Sequence, residues 1–154
     1  MKALLYCTKG KPYLRKLKSC NEWYVDNDPY NAANGSIIAL CDIELTEDWK
    51  LEESCLTVEQ YNKYLGDKIG YALRISNLSE YYTMLNLSYF YKRKERNEED
   101  IIDRAPQNMM YAYDWYDNEY VLISIQPKWL EKILNREKTI EIRKKVLNGI
   151  KQHD

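Results

Sequence analysis

The clearest pattern of hydrophobic and polar positions lies between residues 121 and 146. The run VLISI at residues 121–125 alternates and is rich in β-branched side chains, which predicts a largely buried strand. Pro127 suits the first turn of a helix, because the N–H that it lacks would have no partner there. Apolar residues then recur at helical spacing: Trp129, Leu130, Ile133 and Leu134. We expect Asn135 and Arg136 to end this helix, with Asn135 in the left-handed conformation that a C-cap needs.

Residues 139–143 alternate again and predict a second strand. The apolar side chains face one way and the polar ones the other: Ile140 and Ile142 against Thr139, Glu141 and Arg143. A hydroxyl, a carboxylate and a guanidinium in one row are typical of a solvated face or of the wall of a polar cleft.

The rest of the chain supplies further strands and a second helix. Thr57 and Gln60 form a capping box at the start of that helix. The charged residues 91–104 predict an exposed helix or a mobile loop. Strands are expected at Lys2–Cys7, 36–45, 71–75 and Met109–Tyr113. We therefore predict one α+β domain over residues 1–154, with two to three short helices and a tail at 147–154.

Composition excludes some classes of function. The net charge of −1 gives no bulk attraction to nucleic acid, so any such binding depends on a local basic patch. The four cysteines form no CxxC pair, and the lone His153 lies in the tail, so zinc-site spacing is absent. We expect no metal and no cofactor.

Location follows from the same survey. The chain carries no secretory leader pattern and no apolar run long enough to cross a bilayer. Cysteines without CxxC spacing are most simply reduced residues of a cytosolic protein. We expect a cytoplasmic protein without a membrane partner.

Residues 121–146 resemble the opening motif of ASCH domains, which are small β-barrels of the PUA-like superfamily. The family pattern runs roughly L-S-I-x-P-x-Y/W-x-x-x-I-L-x-G-x-K-T-x-E-x-R. This chain carries it at Leu122, Ser124, Ile125, Pro127, Trp129, Ile133, Leu134, Asn135 (for the usual glycine), Lys138, Thr139, Glu141 and Arg143. The run LYCTKGKP at residues 5–12 resembles the strand and loop of phage-type members.

One departure concerns the order of these segments. In the family the strand–helix–strand motif opens the domain, whereas here it lies at the C-terminal end. A circular permutation accounts for this if the two ends of the chain are adjacent in space. The alternative is an exchange in which residues 121–154 complete the barrel of a second copy, giving a strand-exchanged dimer instead of a monomer.

The resemblance implies a PUA-like mixed β-barrel whose cleft holds RNA or a modified nucleoside. Lys138 and Arg143 would meet a phosphate or a base acceptor. Glu141 would accept from an exocyclic amine, and Lys9 and Lys11 would hold the backbone. Ser124 completes this predicted site. We expect alanine at Lys138 or Arg143 to weaken binding without unfolding the protein.

A second hypothesis is catalytic. Some small ASCH proteins are implied to be amidohydrolases acting on N4-acetylcytidine, through a lysine, a threonine and a carboxylate. In this chain the lysine falls on Lys138, but the nucleophilic threonine falls on Glu141. Thr139 is on the same strand and would have to substitute, with Glu52 or Glu53 near the place of the remaining acid.

A third hypothesis is contact with a host protein. The resemblance is closest to phage members, and acidic runs lie at residues 42–53 and 114–119. Such runs can imitate phosphates, so the protein would inhibit a nucleic-acid enzyme by electrostatic complementarity. A plugged cleft and a continuous acidic face would favour this hypothesis over RNA binding.

Overall fold

The computed structural model describes residues 1–8 and 35–152, and these build one six-stranded sheet. The strands are β1 (Lys2–Cys7), β2 (Ser36–Thr46), β3 (Tyr71–Leu85), β4 (Met109–Tyr113), β5 (Glu119–Ile125) and β6 (Ile140–Arg143). Their order across the sheet is β4-β5-β1-β2-β3-β6. The sheet is mixed, because β1 and β5 run parallel while the other neighbours run antiparallel.

Three short α-helices lie in the described part of the chain: α1 (Val58–Leu65), α2 (Pro127–Leu134) and α3 (Asn148–Gln152). Single 3₁₀ turns occur at Leu51–Ser54, Leu87–Tyr89 and Glu98–Asp100. The predicted capping box starts α1, since the Thr57 side chain accepts from the Gln60 amide and the Gln60 side chain accepts from the Thr57 amide. Pro127 starts α2 as expected. The α+β class is therefore confirmed.

The sheet curls into a half-barrel around an apolar core. β1 and β5 are buried on both faces, so their alternating side chains enter two different clusters. Leu5 and Ile123 face the core that α2 and α3 cover. Leu4 and Leu122 face a second cluster with Phe90. Register shifts in the β1–β2 and β2–β3 pairs bend the strands, as β-bulges do, and so assist the curl.

Side-chain hydrogen bonds join the two edges of this curled sheet. Arg143 lies at the end of β6, and Asn108 lies directly before β4. Arg143 donates from Nη1 to Asn108 Oδ1 at 2.7 Å. It also donates from Nη2 to the Ser124 carbonyl of β5 at 2.8 Å. Asn108 in turn donates from Nδ2 to the Lys145 carbonyl at 2.8 Å. We call Asn108, Ser124, Arg143 and Lys145 the seam.

Three details differ from the sequence-based expectations. β3 extends to Leu85, ten residues beyond the predicted 71–75, because it pairs along nearly the whole of β2. Residues 91–104 do not form an exposed helix. Tyr91 instead bridges to Ile101 and Tyr113, and Ile102 is buried.

The third difference is at the end of α2. Asn135 keeps a right-handed conformation, with φ of −79°. The left-handed residue is Arg136, with φ of 63°. The Arg136 guanidinium donates to the Leu134 carbonyl at 2.7 Å and to the Leu78 carbonyl at 3.4 Å. These hydrogen bonds help to hold Arg136 in the left-handed conformation that ends the helix, although it lacks the conformational freedom of glycine.

The C-terminal segment belongs to the same sheet as the first strand. β5 pairs with β1 and β6 pairs with β3 within the single chain. Met1 and Ile150 line one surface depression, so the two ends of the described chain lie near each other. The basic loop with Lys9 and Lys11, as well as Trp23, lies outside the described residues. No helix among the described residues is both long and apolar enough to cross a membrane.

Candidate functional site

A cavity of about 860 Å³ opens between α1, α2 and β6. α1 contributes Lys63 and Tyr64, and α2 contributes Trp129. Thr8 and Ser124, near the ends of β1 and β5, line another side. The predicted residues 138, 141 and 143 lie in its wall. This volume is within the range of small-molecule sites in proteins.

Lys138 is buried in this wall, with 3% of its surface exposed. Its Nζ donates to the Ser54 carbonyl at 2.6 Å and lies 3.2 Å from Glu141 Oε1. It also lies 5.3 Å from the centre of the Trp129 ring. A buried ammonium needs such partners, because removing it from water is costly unless it is paired and hydrogen-bonded.

Glu141 pairs with cations through both of its oxygens. Oε1 faces Lys138, while Oε2 accepts from Arg143 Nε at 2.8 Å and lies 2.6 Å from Arg143 Nη2. The side chains of Glu141 and Arg143 are only 12% and 11% exposed. The Glu–Arg pair on one strand is therefore enclosed, unlike an exposed intra-strand pair.

These three side chains, Lys138, Glu141 and Arg143, form what we call the ion triad. Contacts within the protein occupy part of their hydrogen-bonding capacity. Arg143 has five N–H donors, and three of them serve Glu141, Asn108 and Ser124. Glu141 accepts one hydrogen bond from Arg143 and meets a cation at each of its two oxygens. Because the three side chains are also largely buried, the triad offers a ligand few direct contacts, although it still contributes one net positive charge.

Thr139 lies outside the cavity lining. Its backbone is held on both sides, since its amide donates to the Glu53 carbonyl at 2.9 Å and its carbonyl accepts from the Ile75 amide at 2.8 Å. Ser124 does line the cavity, where its hydroxyl donates to the Pro106 carbonyl at 2.6 Å. The structure thus brings Ser124 together with the ion triad but does not bring Thr139 there.

The acids proposed for the catalytic scheme also lie away from the cavity lining. Glu53 Oε2 accepts from Arg74 Nη1 at 2.9 Å, and its other oxygen accepts from the Lys50 amide. The Arg74 hydrogen bond, followed by that from Lys50, holds the pKa of Glu53 below its ordinary value. Glu52 is exposed. Glu53 therefore stays ionised and fixes the 3₁₀ turn against β3.

Sequence reasoning missed several lining residues. Lys63 and Tyr64 come from α1, which lies far from β6 in sequence, and Lys144 directly follows β6. The Lys144 ammonium lies 4.7 Å from the centre of the Tyr64 ring. The surface of Tyr64 is 39% exposed. Of these three residues, only Lys144 could have been predicted locally, because it directly follows the row of polar residues that ends at Arg143.

The charge of the lining differs from that of the whole chain. Four cations and one carboxylate line the cavity, Lys63, Lys138, Arg143 and Lys144 with Glu141, so the lining carries a net charge of +3. The chain as a whole carries −1. The described residues of the lining thus form a local basic patch, which a chain of net negative charge needs in order to attract nucleic acid.

Comparisons with protein-family models, with curated proteins and with solved structures found no match for this chain.

Proposed function

We propose that this cavity binds RNA or a modified nucleoside. The observation that carries the proposal is the make-up of the lining, which combines aromatic rings, side-chain amides and an excess of positive charge. Aromatic rings stack on bases, amides pair with base edges, and cations attract phosphates. We also propose that the chain is a permuted PUA-like ASCH domain, because residues 121–146 follow that motif and the chain ends lie near each other.

The base would be recognised by amides at the cavity wall. The side chains of Gln107 and Gln126 are exposed and make no hydrogen bond within residues 1–8 and 35–152. A glutamine amide carries both donors and an acceptor, so it can read a base edge at two points. Trp129 is half-buried beside Gln126 and would support the plane of the base.

The test is binding of fluorescently labelled RNA oligonucleotides of four to eight nucleotides, followed by anisotropy. The double variant Q107A/Q126A should lose about tenfold or more in affinity, since a good bidentate base contact is worth ~1–3 kcal/mol. The matched control is Asn62→Ala, which removes an exposed amide from α1 away from the lining. If the unaltered protein binds neither RNA nor nucleosides, the proposal is rejected, and equal RNA affinity in the double variant moves the site elsewhere.

The amidohydrolase hypothesis has weaker support from the geometry. It needs a hydroxyl within hydrogen-bond reach of its base, and Thr139 lies outside the lining that holds Lys138. The test is turnover of N4-acetylcytidine, measured by chromatography. Turnover by the unaltered protein that is absent in Lys138→Met would support the amidohydrolase hypothesis.

The inhibitor hypothesis has one supporting observation. A second depression brings the two acidic runs together, with Asp42 and Glu44 from one and Glu119 from the other. Lys2 also lines it and forms an ion pair with Asp42 at 2.9 Å. This partial neutralisation makes the depression a poorer imitation of phosphates than a continuous acidic face. If RNA and nucleosides fail to bind, this is the surface to test against nucleic-acid enzymes.

A further inference from the structure

Two lysines, the exposed Lys63 and the half-buried Lys144, line the part of the cavity that we call its mouth. Lys63 comes from α1, and Lys144 follows β6, so different elements hold them. Within the described chain, neither lysine forms an ion pair with a carboxylate. This separates them from Lys138 and Arg143 in the same lining, which share Glu141.

Lys144 is positioned without being tightly bound. Its ammonium lies over the Tyr64 ring at 4.7 Å, and Tyr64 is the neighbour of Lys63 on α1. A cation–π contact at an exposed ring is weaker than a charge-assisted hydrogen bond to an anion. The ammonium can therefore leave the ring for a phosphate oxygen at little cost, while the ring keeps it near the cavity in the free protein.

The interior of the cavity does not oppose an anion. Among the described lining residues Glu141 is the one carboxylate, and cations meet both of its oxygens. The ion triad is thus net positive, and charges in a partly enclosed cleft act more strongly than on an open surface. Lys63 and Lys144 add two further charges at the mouth.

We infer that the ligand of this cavity is a phosphorylated nucleoside, a free nucleotide or one residue of an RNA chain, whose phosphate lies between Lys63 and Lys144. The base then points inward toward Trp129 and the amides. This inference rests on the proposed function and adds to it that a neutral nucleoside lacks the group that the mouth recognises.

The experiment compares the four ribonucleosides with their 5′-monophosphates by isothermal titration calorimetry. Each monophosphate should bind at least about tenfold more tightly than its nucleoside, because a hydrogen bond to a charged group adds that much affinity. Lys63→Gln and Lys144→Gln should each remove most of this advantage. Lys94→Gln removes the same charge from an exposed position outside the lining and should keep it. Thermal melts confirm that the variants fold.

The outcomes separate the inference from the function that it rests on. Equal affinity for nucleoside and monophosphate overturns the inference while leaving the cavity a nucleoside site. If RNA binds but free nucleotides do not, the slope of log affinity against log salt concentration tests the inference. Each glutamine variant should then reduce the slope by about 0.7, the value for one phosphate contact on a single strand, and an unchanged slope overturns the inference. If neither RNA nor any nucleoside or nucleotide binds, both the inference and the proposed function are wrong.

Discussion

At the scale of single residues, the ion triad is the most informative feature. Lys138 is almost fully buried, and Glu141 is the carboxylate that pairs it. Replacing a buried ion pair by apolar groups is often neutral, but removing one partner leaves an unpaired charge in the interior. Glu141 is therefore required for the fold wherever Lys138 and Arg143 are present.

We predict that Glu141→Ala lowers the free energy of unfolding by ~3–5 kcal/mol, the usual cost of breaking a buried pair. Urea denaturation measures it. The control is Glu137→Ala, which removes the carboxylate of an exposed pair with Lys132 at 3.7 Å and should cost less than ~1 kcal/mol. Equal effects of the two variants would show that water reaches the triad freely.

The same burial changes one expectation drawn from the sequence. Alanine at Lys138 or Arg143 was expected to weaken binding without unfolding. Lys138→Ala would leave Glu141 with one cation fewer, and Arg143→Ala would open the seam. Both should destabilise the protein, so loss of binding in these variants would not identify a ligand contact. Lys63 and Lys144 are the better probes.

At the scale of elements, the turn between β4 and β5 is built on Asp114. Its carboxylate accepts from the Tyr116 and Asn118 amides, from Asn118 Nδ2 and from the Tyr120 hydroxyl. Burial alone would raise the pKa of Asp114, but hydrogen bonds from Asn118, Tyr120 and Tyr116 outweigh it and lower the pKa. Burial first, and then the bond to Asp114, raises the pKa of Tyr120 to about 12.

These shifts fix the sign of a pH dependence. The folded pKa of Asp114 is below its ordinary 3.8, so its contribution to stability is present above that pH and is lost as the pH falls through the folded value. The folded pKa of Tyr120 is above its ordinary 10.0, so its contribution is lost as the pH rises from 10 toward 12.

Asp114→Ala should therefore cost ~1–3 kcal/mol near neutral pH, because the turn loses the acceptor of several hydrogen bonds. The difference from the unaltered protein should shrink below pH 3.8. Urea denaturation at several pH values measures it. Asp103→Ala, which removes an exposed partner of Lys92, serves as the control. A cost that does not change with pH would show that the turn depends on the shape of Asp114 and not on its charge.

Local patterns predicted the short elements well and the long-range ones poorly. The capping box at Thr57, Pro127 and the alternation in β5 and β6 each act within a few residues, and each formed as expected. The extra length of β3 depends on β2 as its partner, and no local pattern announces it. Arg136, and not Asn135, adopts the left-handed conformation, and its guanidinium donates to the Leu134 and Leu78 carbonyls. Leu78 is distant in sequence, so no local pattern could predict this contact.

The candidate site follows the same rule. Glu141 and Arg143 could be predicted to lie together because they alternate on one face of β6, and Lys138 comes two residues before that strand. The sequence did not reveal their other hydrogen-bond partners, because Ser54, Asn108 and Ser124 come from three distant segments. Nor could it show that α1 brings Lys63 and Tyr64 opposite this row.

At the scale of the whole molecule, the open question is what keeps a half-barrel curled. The edge strands β4 and β6 are at opposite ends of the sheet order, yet the seam joins them. The side chain of Asn108 accepts from Arg143 and donates to the Lys145 carbonyl. Apolar packing also spans the two ends, since Met109, Val146 and Ile150 share one core. The two contributions can be separated, because the amide can be removed without changing the core.

Asn108→Ala should lower the free energy of unfolding by ~1–3 kcal/mol, since it leaves a donor of Arg143 and the Lys145 carbonyl without a protein partner. Hydrogen exchange should accelerate most in β6, whose four residues pair with β3 on one side only, while the central β1 keeps its protection. Asn62→Ala, on the surface of α1, should leave both unchanged. If β6 exchanges at its original rate in Asn108→Ala, apolar packing by Val146 and Ile150 holds the curl, and Arg143 is then freer to meet a ligand than its contacts suggest.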